Sequence, residues 1–212
     1  MNLPSNLPFN YVDLLVLILL IIGISRGRKR GMSEELLTFI QWLIIVFVGC
    51  EIYQPGGQFL SEVAPFSLMT CYVMVYLTFA ILIKLLFSQI KRAIGEKLVG
   101  SNFFGEGEYY LGMVAGMIRF ACVILMVMAV INARLITPQE RAATAQMQSK
   151  NFEGISFPTF GSIQQSVLYD SFTGKHVKEY LDFVLIRSTV PVNVPLGRNS
   201  GSSANDVINP KK

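Results

Sequence analysis

The residues able to do chemistry are few and lie far apart in the chain. Cys50, Cys71 and Cys122 each sit in or beside an apolar run, with no CxxC neighbour and no histidine close by. Thiolate or metal chemistry needs such a partner, so the three read as small core hydrophobes. His176, the single histidine, lies beside Lys175 and Lys178 with no adjacent nucleophile, and reads as a surface residue. No glycine-rich phosphate loop, no HExxH and no GxSxG occurs. The sequence therefore offers no nucleophile, metal set or cofactor site, and reads as that of a non-enzyme.

Charge embedded in apolar sequence is more informative. Arg119 stands near the middle of the apolar run 109–131, where an ionisable side chain costs about 2.5–3.5 kcal/mol to insert into a bilayer. Gly112 and Gly116 fall on the same helical stripe as Arg119, and GxxxG spacing lets a second backbone come close. The stripe is either a packing face with a paired arginine or the wall of an ion or solute path; the residues allow both. Asp13 opens another apolar run and is the second intramembrane candidate. On straight helices it lies about 6 Å below the membrane surface and Arg119 about 18 Å, which does not favour a direct pair. A position near a helix N-terminus gives Asp13 a role of its own, complementing the helix dipole.

These residues need helices to hold them, and the composition says of what kind. Of 212 residues, 52% are hydrophobic and 15% are charged, against about 25% charged in soluble domains. Mean hydropathy is +0.48. This excludes a disordered chain and weighs against a soluble enzyme or a nucleic-acid binder. Apolar segments predict four membrane spans at about 9–25, 36–53, 66–87 and 109–131. Residues 1–12 lack the positive charge of a signal peptide, so the first span reads as uncleaved. Arg26, Arg28, Lys29 and Arg30 follow it; the 54–65 connection carries no Lys or Arg; the 88–108 connection carries Lys91, Arg92 and Lys97. This alternation places the basic loops inside, and the N-terminus and C-terminal tail outside. Lys84 reads as snorkelling. Ser33, followed by Glu34 and Glu35, reads as the start of the second span. The basic run suits lipid head groups, through Arg26, Arg28 and Lys29.

The fold expected is an all-α integral membrane four-helix bundle with a partly helical, partly disordered tail. It divides into a membrane domain at 1–133, an extracytoplasmic tail at 134–187 and a disordered C-terminus at 188–212. Within the tail, 138–150 reads as a polar helix and 151–162 as an aromatic loop. Two short amphipathic helices are expected at 163–170 and 175–186, the second with Val177, Leu181, Val184 and Leu185 on one face.

The pattern resembles the colicin V production protein family, CvpA-like four-helix membrane proteins of bacteria. Asp13 opens the first span, Gly23 lies within it, and Arg30, Gly31 and Glu35 follow at its inner end. Leu111-Gly112, Gly116 and Arg119 match in the last span, with Glu108 ahead of them. Met32, Glu34 and Phe120 depart from the pattern. The resemblance covers about 10–133, and nothing nameable matches the tail. It implies the bacterial inner membrane, and a non-enzymatic accessory or scaffold role in toxin production or export and in envelope homeostasis. The alternative is a small oligomeric channel or transporter with Arg119 lining the path. The partners expected are membrane lipids, a second copy of the chain or other envelope proteins, and no nucleic acid.

Overall fold

The computed structural model describes residues 10–99, 105–134, 136, 140, 144, 146–147 and 159–189. Three long helices dominate: α1 (Tyr11–Val63), α2 (Leu68–Val99) and α3 (Glu108–Asn132). Among the described residues these three are long and apolar enough to cross a membrane, α2 over Leu68–Ala93. The expectation of helical, membrane-type architecture is met.

Helix α1 is two arms rather than one rod. Gly31 breaks it with φ 73° and ψ 171°, a conformation open essentially to glycine alone. Val12 and Tyr53 belong to one core cluster, whereas a straight helix would hold them roughly 60 Å apart. The chain therefore doubles back at Gly31, giving a first arm at 11–30 and a second at 32–63. Contacts to α3 show the same reversal. Gly23 meets Gly116 and Gly27 meets Gly112, so the first arm is antiparallel to α3. Glu35 meets Arg119 and Val46 packs with Cys122, so the second arm is parallel to it. Gly49 and Gly57 against Tyr76 and Tyr72 set α2 antiparallel to the second arm.

Several boundaries differ from the sequence expectation. The basic run Arg26–Arg30 is helical, and the break falls at Gly31 rather than at a Ser33 start. The 54–65 segment, expected as a loop, stays helical to Val63 despite Pro55. Its glycines bury against a neighbour, since a Cβ on Gly57 would strike Tyr72. Tertiary packing overrides the local breaker signal. Helix α2 runs on through Lys91 and Arg92, with the Lys91 ammonium donating to Thr38 Oγ1 at 2.8 Å. Lys84 is exposed, as snorkelling requires.

The tail is not a separate unit. It forms α4 (Phe160–Gln164), a π-helical turn (Gln165–Asp170), α5 (Phe172–Tyr180) and a 3₁₀ turn (Asp182–Val184). Leu168, Val177, Leu185 and Ile186 join the bundle's own core. The apolar face expected around Val177 and Leu185 is thus real, although the helix breaks at Leu181. Glu140, Thr144, Gln146 and Met147 are helical; the rest of the expected polar helix, and 151–158 of the expected loop, lie outside the described residues. Of the expected disordered end, 190–212 lies outside them too, while Thr189 is fixed by its N–H donating to the Ala133 carbonyl at 3.1 Å.

Candidate functional site

The residues singled out from sequence gather at two ends of the bundle. At the turning end, α3 lays a ridge without side chains against the first arm. A Cβ added to Gly23 would sit 2.8 Å from the Gly116 carbonyl oxygen, and one added to Gly112 would sit 2.5 Å from that of Gly27. Gly23, Gly27 and Gly31 repeat every four residues, matching Gly112 and Gly116 on the facing helix. That repeat is the sequence signal that marks Gly27 as part of the contact. Glu108 completes the ridge, its side chain lying across Gly31.

Arg119 lies one helical turn beyond this ridge. Its long side chain leans toward the N-terminus of α3, as helical side chains do, and so reaches the turning end. There it meets Glu35, four residues past the reversal. Arg119 Nη1 donates to Glu35 Oε1 at 2.8 Å and Oε2 at 2.5 Å. Glu35 is 0% exposed and Arg119 is 7% exposed. Arg30 adds a bond to Glu35 Oε1 at 3.3 Å from the partly open side, and also pairs with Glu34 at 3.6 Å. A buried carboxylate with two guanidinium partners is compensated electrostatically, and removing either partner of such a pair is far costlier than never having it. Arg119 thus faces inward onto a buried carboxylate.

Asp13 stands at the other end and does not meet Arg119. It is 9% exposed and serves two helices at once. Its Oδ2 accepts from the Asn10 N–H at 3.0 Å, which completes a capping box with the Asn10 side chain. Oδ2 also accepts from the Phe172 N–H at 2.9 Å, while Oδ1 accepts from the Thr173 N–H at 2.8 Å and the Thr173 hydroxyl at 2.7 Å. The same carboxylate therefore starts the first arm and the tail helix α5, using the free amides of both. The tail is fastened at further points here. Gln164 Nε2 donates to the Ile131 carbonyl at 3.0 Å, Asn132 Nδ2 to that of Ile186 at 3.0 Å, and the Arg187 N–H to the Tyr53 hydroxyl at 3.1 Å.

Other candidates take plainer places. Cys50, Cys71 and Cys122 are free and buried. His176 is exposed, with Nδ1 at 2.9 Å from the Phe172 carbonyl and its ring against Phe172 and Tyr180. Among the described residues no group of three or more His, Cys, Asp or Glu could hold a metal ion. Arg26, Arg28 and Lys29 are exposed beside the turning end.

Comparison with protein families finds one whose description is colicin V production protein, and its model matches residues 12–175. The match runs past residue 133 into the tail, beyond the extent of the resemblance in the membrane segment alone. Searches of curated proteins and of solved structures find no match.

Proposed function

The chain belongs to the colicin V production protein family, and from that premise we propose that it is a four-span, non-enzymatic scaffold of the bacterial inner membrane. It would serve toxin production or export and envelope homeostasis. The observation that carries this reading is the closed Glu35–Arg119 pair, buried and mutually compensated beside a glycine ridge. Such a feature holds helices in register. A conducting or relaying charge would need access to water or solute. The reversal at Gly31 supports counting two spans within α1. The basic run beside it supports an inside turning end, with the tail outside.

The test replaces the pair by apolar side chains of similar volume, Glu35→Leu with Arg119→Met. Cells carrying a colicin V-type toxin system, with this gene deleted, are complemented with wild type or the double variant, and secreted toxin is assayed. A scaffold keeps toxin output with the double variant. Loss of output from protein that is inserted and folded would assign the charges a direct role and overturn the reading. Orientation is tested separately. Lys175→Cys in a chain without native cysteines should label in intact cells with an impermeant thiol reagent. Labelling only after lysis would put the tail inside.

A further inference from the structure

We propose that the chain holds the head group of an anionic phospholipid in a cleft between the first arm and the start of α3. The cleft measures about 770 Å³ and is lined by Ser25, Arg28, Lys29, Tyr109, Tyr110 and Met113. Arg28 and Lys29 are exposed, and among the described residues neither makes an ion pair. Two carboxylates of this end are already engaged, Glu34 with Arg30 and Glu35 with Arg30 and Arg119, and among the described residues no carboxylate lines the cleft. The lining of the cleft thus carries two cations and no acid.

Its other groups fit a phosphate that arrives with hydrocarbon attached. Tyr109 and Tyr110 are exposed in the first turn of α3. Tyrosine favours the head-group level of a membrane. Met113 lies in the cleft, and the exposed Leu111, Val114 and Met117 continue along α3 beyond it. A free phosphate would use only the cations and hydroxyls. A phospholipid uses both halves, so it is the occupant assigned. The inference rests on the membrane reading of these helices, and on neither the toxin role nor the side on which the tail lies.

The full chain is purified into phosphatidylcholine nanodiscs, titrated with phosphatidylglycerol, and its retained lipid counted by native mass spectrometry. Wild type should retain phosphatidylglycerol over phosphatidylcholine. Arg28→Gln with Lys29→Gln should weaken that retention about 25-fold, at about fivefold for each surface cation. Arg26→Gln alters the same basic run outside the cleft lining, and should change retention by less than about twofold, with Arg28→Gln alone near fivefold. Equal losses for Arg26→Gln and Arg28→Gln would show diffuse surface charge and overturn the site. So would equal retention of the two lipids. Glycerol phosphate that displaces the lipid at equal concentration would show a site for phosphate alone, and would overturn the lipid assignment.

Discussion

At the turning end the buried carboxylate of Glu35 faces guanidinium groups; at the tail end the buried carboxylate of Asp13 faces backbone N–H groups and a hydroxyl. Both acids are desolvated, but their partners differ in what happens when the acid is removed. Without Glu35, Arg119 keeps a full charge inside a bundle bordered by lipid. Without Asp13, amides lose an acceptor at a helix start near the end of the bundle, where water reaches more easily. The first arrangement ties the second arm to α3; the second ties the tail to the start of the first arm. The same residue chemistry is thus used for assembly at one end and for docking at the other.

The sharpest way to break this contrast is Glu35→Ala. It should destabilise the protein by about 3–5 kcal/mol, the cost of leaving a buried charge alone, read by denaturant titration in micelles. A loss of the size found at an exposed pair would erase the difference between the ends. Next comes the glycine ridge. Gly31→Ala places a side chain in a backbone region that glycine alone occupies readily and should cost about 1–3 kcal/mol. Gly27→Leu should open the arm–α3 contact, because a Cβ there already meets the Gly112 backbone; crosslinking between cysteines placed on the two helices would report it. Asp13→Ala should cost about 1–2 kcal/mol as a lost cap. Its effect should be local: faster hydrogen exchange over Phe172–Tyr180, with the Glu35 end unchanged. Glu34→Ala, which removes only a half-exposed partner of Arg30, should cost no more than about 0.5 kcal/mol.

Much of this was legible in the sequence, for reasons that also explain the gaps. The apolar runs announced helices long enough to cross a membrane, because membrane insertion is governed by composition over a long window. The shared stripe of Gly112, Gly116 and Arg119 was readable because helical periodicity is local. The partner of Arg119 was not. Glu35 lies 84 residues away, and its place between two apolar runs points to the basic connection, since the helix carrying it begins earlier than its hydropathy suggests. Pro55 with Gly56 and Gly57 signalled a loop, yet the helix continues because those glycines admit α2. The place of Asp13 at a helix start is local information, and there it completes a capping box. Its second helix, α5, comes from the tail, and no local pattern announces a docking partner at that distance.

The most direct test of the central claim is a double-mutant cycle on the buried pair: wild type, Glu35→Gln, Arg119→Gln and both together, each unfolded under the same conditions in micelles. If Glu35 and Arg119 lock the second arm onto α3, each single change should be strongly destabilising and the double much less so than their sum. The coupling energy should be about 2 kcal/mol or more. Single effects that add to within about 0.5 kcal/mol would mean that the two charges do not sense each other, and the closed pair could no longer account for how this bundle is held.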